Sequence, residues 1–384
     1  MVTSDRTADK GSSGWYETVE AGIHVHWLPV RYSNQMGHAE RLRAFQKFAL
    51  GSARKAASLA SDVVFATSTP LTIALPAVYA ARRQKVPMVF EVRDLWPEVP
   101  ISVGALRGRF PIAGARHLER FAYRYAAQIV ALSPGMRDGI LKAGYPEDQI
   151  HVIPNSADLE LFNVSAGAGK AFRERFEWLG QRPLIVYAGT LGYINGVSYL
   201  ARLAAAVKAR APEVRFLVIG DGREEGNVRD VAQRLGVLGE NFYMMHRLPK
   251  TQMPIALSAA TLATSLVINV KELWANSANK FFDALASGTP VAINYRGWQA
   301  KLLEESNAGL VLDPQDIGLS TELLLQALEN KAWLTRAGIR ARELAEKRFA
   351  REKMARQLEG VLQLAAEQAS DKGRVRHASL PRNH

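Results

Sequence analysis

Residues 273–295 read LWANSANKFFDALASGTPVAINY. Small and polar residues lead up to Asn279-Lys280. An apolar stretch with helical spacing follows, and Ser287-Gly288-Thr289-Pro290 ends it before the β-branched run Val291–Asn294. Loop, helix, tight turn and strand in that order form the repeating unit of a parallel α/β sheet. Two residues do nothing for the fold. Lys280 sits in the first helical turn, where the dipole disfavours a cation. Asp283 lies one turn further in, on a helix whose neighbouring residues are apolar. A helix N-terminus exposes unpaired N–H groups, and the small residues Ser277 and Ala278 let an anion approach them. A phosphate or diphosphate there would pair with Lys280 through charge-assisted hydrogen bonds. Asp283 could then accept from two adjacent hydroxyls, as on a ribose. By spacing alone, both charges equally fit a solvated helix face.

The same unit recurs in both directions. Strands are predicted at Ile23–Val30, Val63–Thr67, Met88–Val92, Gln128–Leu132 and Ile150–Ile153. After a break they resume at Leu184–Ala188, Val214–Ile219, Asn241–Met244, Thr261–Leu266, Val291–Asn294 and Gly309–Leu312. Helical patterns fill the gaps, which implies parallel sheets with right-handed crossovers. The fold class is α/β, with two doubly wound Rossmann-like domains expected to face each other across a cleft at the C-terminal ends of their strands. The predicted division is 1–158 for the first domain, 159–170 for a linker rich in Gly, Ser and Ala, and 171–350 for the second. Residues 351–368 form a C-terminal helix that can cross back to the first domain, and 369–384 a disordered basic tail. A doubly wound domain normally opens with a strand, a glycine-rich turn and a helix. Here Val2-Thr3-Ser4 reads as the end of a strand, so the first domain is expected to lack its first strand and that turn.

The chain has 384 residues, 48% hydrophobic composition, no cysteine and a net charge of +12. Its length suffices for two domain cores. The lack of cysteine excludes disulfides and thiolate chemistry. The basic excess points to polyanionic partners such as phosphorylated substrates or anionic lipid, unless it serves solubility alone. Residues 63–81 (VVFATSTPLTIALPAVYAA) carry no charge, but Pro70, Pro76 and three threonines fit a strand and helix better than a membrane span. With no secretion signal in view, a cytoplasmic location is expected.

Other turns fall on the same sheet edge as the opening stretch. Residues 186–197 (VYAGTLGYINGV) place Gly189, Gly192 and Gly196 after a strand, where backbone amides could face a ligand. Gly220-Asp221-Gly222 ends another strand, and His246-Arg247 follows a third.

With these motifs in order, the chain resembles the retaining glycosyltransferases of GT-B-fold family 4, and within it the group acting in bacterial O-antigen, capsule and exopolysaccharide assembly. The carriers are FEVRDLWPE (90–98), VIPNSADLELF (152–162), YAGTLG (187–192), VIGDG (218–222) and NKFFDALASGTPV (279–291). The resemblance implies transfer of a sugar with retention from a nucleotide diphosphate, with UDP-linked N-acetyl-hexosamine or deoxy-hexosamine as donor and a lipid-pyrophosphate-linked glycan as acceptor. The implied donor residues are Gly189, Thr190, Gly222, Arg247, Ser277, Ala278, Asn279, Lys280 and Asp283. Arg93, Asp94 and Lys280 are the implied catalytic residues. Several positions depart from the family pattern. Asp283 replaces the second of two glutamates spaced eight apart, and Ala275 replaces the first, leaving Asn276 or Glu272 to take its place. Thr190 and Asn195 stand where an Arg and a Lys usually hold the diphosphate, so Lys280 and Arg247 are the nearest substitutes. Arg93-Asp94 replaces a frequent histidine.

No Asp-x-Asp motif occurs, so no cofactor or metal is expected, and leaving-group charge falls to amides, the helix dipole and cations. The resemblance also implies front-face transfer. Residues 39–60 and 107–126 read as basic amphipathic helices. Leu42, Phe45, Ala49 and Leu50 lie on the first, and Phe110, Phe121, Tyr123 and Tyr125 on the second, either as core-facing stripes or as a face for an anionic membrane. Peripheral attachment to the inner face of the plasma membrane is the corresponding expectation. The alternatives are a non-catalytic nucleotide-sugar-binding protein, a UDP-N-acetylglucosamine 2-epimerase, and a nucleic-acid binder. The last has only charge in its favour, so no nucleic acid is expected as a partner.

Overall fold

The computed structural model describes residues 1–6, 14–32, 36–68, 70–165 and 167–378. The chain forms two compact units. One comprises Met1–Ile153 with the chain from Arg356 onward, and the other Pro154–Ala355.

In the first unit, strands β1 (Val2–Asp5), β2 (Tyr16–Glu20) and β3 (Ile23–Pro29) form a sheet in the order β1-β3-β2. β1 runs parallel to β3, while β2 and β3 form an antiparallel hairpin. Sequence reading missed β2, because Tyr16–Glu20 is mostly exposed and has no apolar run to signal it. A separate parallel sheet, β4-β5-β6-β7, contains β4 (Val64–Thr67), β5 (Met88–Val92), β6 (Gln128–Ala131) and β7 (Ile150–Val152). No described strand joins the two sheets, and residues 7–13, which follow β1, lie outside the described set. The uncharged stretch from Val63 becomes β4, a 3-10 turn and helix Ala74–Gln84, as its prolines suggested. Among the described residues no helix is long and apolar enough to cross a membrane.

The second unit holds six parallel strands in the order β10-β9-β8-β11-β12-β13. These are β8 (Leu184–Ala188), β9 (Arg215–Ile219), β10 (Phe242–Met245), β11 (Leu262–Ser265), β12 (Val291–Ile293) and β13 (Gly309–Val311). β8 is LIVYA, with its first four residues buried, the continuous apolar run of a strand covered on both faces. The strand order reverses between β8 and β11. Open α/β sheets bind ligands outside the C-terminal ends of the strands at such a point. The glycine loop that follows β8 and the segment leading to Lys280, which follows β11, both start there.

Two segment assignments change. Residues 159–170 do not form a free linker throughout, because helix Ala168–Glu174 begins inside them and buries Phe172. The C-terminal helix runs from Arg351 to Ala378, so the predicted tail is helical at its start. Gln128 on β6 donates from Nε2 to Gln368 Oε1 at 3.0 Å, which ties that helix to the first unit.

Candidate functional site

Helix Asn279–Ala286 buries Phe281, Phe282, Ala284, Leu285 and Ala286. Phe281 and Phe282 pack against Trp298, and Phe282 also packs against Phe349. This anchors one face. The helix stops at Ser287, where Gly288 takes φ +66, the left-handed conformation that glycine accepts without a Cβ penalty. At the other end Ala278 occupies the cap position and offers no side-chain hydrogen bond. The Phe281 N–H donates to the Ala278 carbonyl at 3.0 Å, which leaves the N–H groups of Asn279 and Lys280 for an anion or for water.

The loop ahead of this helix is held firmly. Asn276 donates from Nδ2 to the Leu273 carbonyl at 2.8 Å and accepts at Oδ1 from the Ala278 N–H at 3.3 Å. Trp298 Nε1 donates to the Asn276 carbonyl at 2.8 Å. The Asn155 N–H donates to buried Ser277 Oγ at 3.1 Å, and its side-chain amide to the Ser277 carbonyl. Asn276 is thus a staple within the loop. Of the two candidates to stand in for the acid missing at Ala275, Glu272 is the one whose side chain is not used this way.

Lys280 turns toward the glycine loop. Its Nζ donates to Asn195 Oδ1 at 2.8 Å and lies 5.1 Å from the ring centroid of Tyr187, the buried tyrosine of β8. A Cβ at Gly189 would stand 2.9 Å from Lys280 Cε, so glycine is what lets the lysine stem pass. No carboxylate lies within ion-pair distance of Lys280 among the described residues. Desolvation lowers its pKa to about 8. Asp283, partly buried one turn on, is shifted the other way: desolvation raises it to about 6, with Lys250 pulling it down and Asp158 pushing it up.

The glycine loop is stitched to the next strand's end. The Gly189 N–H donates to the Ile219 carbonyl at 2.9 Å and the Leu191 N–H to the Asp221 carbonyl at 2.8 Å. A Cβ at Gly220 would lie 1.9 Å from the Gly189 carbonyl oxygen, and one at Gly222 would lie 2.4 Å from that of Leu191. Gly222 therefore belongs to the framework that shapes the loop. Thr190 is exposed, and its carbonyl accepts from the Tyr187 hydroxyl at 2.9 Å.

Arg247 does not join this group. Its side chain is 81% exposed and pairs with Asp221 at 3.3 Å. The structure thus separates the two substitute cations: Lys280 is brought to the glycine loop, and Arg247 is left in solvent. Asn195 and Tyr187 are the partners that sequence reading missed. The signal available was that Asn195 stands at a position where the family carries a cation.

Arg93 and Asp94 follow β5 in the other unit. The Arg93 N–H donates to Ser68 Oγ at 3.0 Å, and its guanidinium to Glu91 Oε2 at 3.3 Å. That same oxygen accepts from Thr67 Oγ1 at 2.6 Å. Asp94 reaches solvent, yet desolvation pushes its carboxyl up to about 6, with Arg93 opposing the shift. On the second basic helix Tyr123 takes the core-facing alternative, being 4% exposed and packed edge-on to Phe90.

Comparison with known proteins places the chain in a family. Residues 2–156 match the family described as Glycosyl transferase 4-like domain, and residues 170–344 match Glycosyl transferases group 1. Over 208 residues the chain is 26% identical to the alpha-D-kanosaminyltransferase of Streptomyces kanamyceticus, covering 52% of this chain and 50% of that protein. It therefore spans about half the length of that relative. Over 317 residues it is 23% identical to a GDP-mannose-dependent alpha-(1-6)-phosphatidylinositol monomannoside mannosyltransferase of Mycolicibacterium smegmatis, covering 76% of this chain and 78% of that one. Two solved structures share the fold. Sucrose-phosphate synthase from Thermosynechococcus elongatus has a TM-score of 0.75 at 16% identity, over 94% of this chain and 88% of that chain. HepE of Anabaena in complex with UDP and glucose has a TM-score of 0.68 at 18% identity, over 89% and 86%. The fold is GT-B, with two Rossmann-like domains.

Proposed function

We propose, for a chain that belongs to glycosyltransferase family 4 of the GT-B fold, that it moves a hexosamine-type sugar from UDP to a lipid-linked glycan with retention, in cell-surface polysaccharide synthesis. One observation carries this reading: Lys280, without an acidic partner among the described residues, stands at an uncapped helix N-terminus beside the strand-order switch point. A desolvated cation and free amides at that place suit a diphosphate. Asp283 would accept from the ribose hydroxyls. Asn279 and Lys280 would take the diphosphate through their first-turn N–H groups, with Ser277 and Ala278 keeping the approach open. As the sugar bond breaks, the outer phosphate oxygens gain charge, and the helix dipole and Lys280 would stabilise it. The leaving group would then help to deprotonate the acceptor hydroxyl on the same face. Arg93 and Asp94 are the proposed acceptor-side pair. Calorimetric titration of the full chain with UDP and GDP tests the donor. Saturable UDP binding is expected, and binding of GDP alone, or of neither, would overturn the donor assignment. The anomeric configuration of the product, read by NMR, decides retention.

The acceptor's membrane location is proposed from the surface of the first unit. Leu42, Leu50 and Phe110 are 53%, 75% and 83% exposed, and Arg43, Arg109, Arg116 and Arg120 are exposed on the same two helices, with Arg107 exposed just ahead of the second. Apolar side chains among cations are the pattern of an interfacial helix. Each basic residue near an anionic surface contributes about 1 kcal/mol. The protein is expected to co-sediment with vesicles containing phosphatidylserine and to be released as salt rises from about 50 to about 500 mM. Binding indifferent to salt would count against this surface.

A further inference from the structure

Among the described residues Lys280 meets Asn195, Tyr187 and Gly189, and no acid lies within ion-pair distance of it. Asn195 Oδ1 accepts from Nζ at 2.8 Å, the Tyr187 ring lies below it at 5.1 Å, and the missing Cβ of Gly189 leaves room for the stem. The Asn195 amide lies over Gly192, where an added Cβ would stand 3.2 Å from its Nδ2. We infer that Asn195 is a positioning residue: together with Gly189 and Tyr187 it holds the Lys280 ammonium over the uncapped helix end, aimed at the donor's diphosphate. This rests on the reading of that end as the donor site.

The choice of an amide matters. A carboxylate at position 195 would neutralise the ammonium before any ligand arrived and would compete with the diphosphate. An amide oxygen orients the ammonium and leaves its charge unmatched. The surroundings agree. Tyr187, held protonated by burial, is the titratable group seated against Lys280. Asp283, on the same helix, interacts with Lys250 and Asp158. Arg342 packs on the Ala286 carbonyl at the far end of the helix. With its pKa at about 8, the free lysine is only partly charged just above neutrality, and a bound diphosphate restores full charge. UDP binding near pH 8 should therefore take up a proton, and affinity should fall as pH rises through 8.

The test is calorimetric titration of UDP between about pH 7.5 and 9.5, where its terminal phosphate stays ionised, on the wild type, Asn195→Asp, Asn195→Ala and Lys280→Met. Thermal melts run alongside confirm that each variant folds. The wild type should show a midpoint near 8. Asn195→Asp should bind UDP at least tenfold more weakly, with its midpoint moved upward. Asn195→Ala should weaken binding with no such upward move, and Lys280→Met should show no lysine-dependent slope. A double exchange, Asn195→Lys with Lys280→Asn, returns an amino group to the same spot and should recover part of the affinity. If both Asn195 variants bind like the wild type with an unmoved midpoint while Lys280→Met is impaired, the positioning role is wrong and the donor reading survives. If Lys280→Met also binds UDP with wild-type affinity and slope, the donor reading of this helix end falls with it.

Discussion

Replacing Lys280 with alanine is expected to lower kcat by about a hundredfold or more, the usual loss when one transition-state donor is removed. The helix supplies only about half a unit of positive charge at its N-terminus. At the proposed donor site the departing diphosphate would gain charge on its outer oxygens, and Lys280, held against the glycine loop, would meet it. UDP affinity should fall less than the rate, because the charge to be stabilised is greatest at the transition state. Folding should not suffer. The lysine's pKa is lowered to about 8, so in the native state its charged form carries a desolvation penalty. That penalty is fully present below about pH 8 and fades as pH rises through it, so at pH 7 the alanine variant should melt no lower than the wild type. Arg247→Ala is the matched control, since its solvent-exposed pair with Asp221 is worth little. If that variant loses the rate and Lys280→Ala does not, the assignment of the cation is reversed.

Asp283→Ala is expected to weaken UDP binding by about 2–4 kcal/mol, the loss of two hydrogen bonds to a charged acceptor. Its carboxyl is raised to about 6 by desolvation. The native state therefore binds a proton more readily than the unfolded chain. Ionised Asp283 opposes folding above about pH 6, and the penalty disappears as pH falls through the range from 6 toward 4. At pH 7.5, Asp283→Asn should raise the melting temperature by a few degrees, an effect of about 1–2 kcal/mol after solvent screening. Ligand binding and stability should move in opposite directions, as they do when a residue is kept for function against the interest of the fold. Calorimetry and a thermal melt of the same preparation check both. A variant that binds UDP normally would remove Asp283 from the site. One that melts well below the wild type would make it structural.

The elements of both units were legible because parallel strands buried on both faces are written as short apolar runs. Met88–Val92 and Leu184–Ala188 coincide with the predicted strands, and the other strands after β2 lie within a residue or two of them. β2 was not legible. Tyr16–Glu20 is held by its hairpin partner rather than by burial, so its side chains show no pattern. The long C-terminal helix was visible from Arg351, but its far end was not, since the basic composition after residue 368 reads equally as a solvated tail.

For the site, the sequence alone determined that one helix after a loop of small residues begins with a lysine and carries an aspartate one turn in. It also determined that glycines stand at the neighbouring strand ends, because helical phase and strand–turn order are local properties of the chain. It favoured Lys280 over Arg247 only by its place in the first helical turn, since both are cationic at neutral pH and both follow a strand. Tertiary structure separates their positions. The reversal of strand order puts β8 beside β11. That brings Asn195 and Gly189 to Lys280 across 85 and 91 positions of chain, and leaves Arg247, beyond β9 and β10, to Asp221 and water. Charge can be read from one residue, but the desolvation that gives it chemical effect depends on which strands become neighbours.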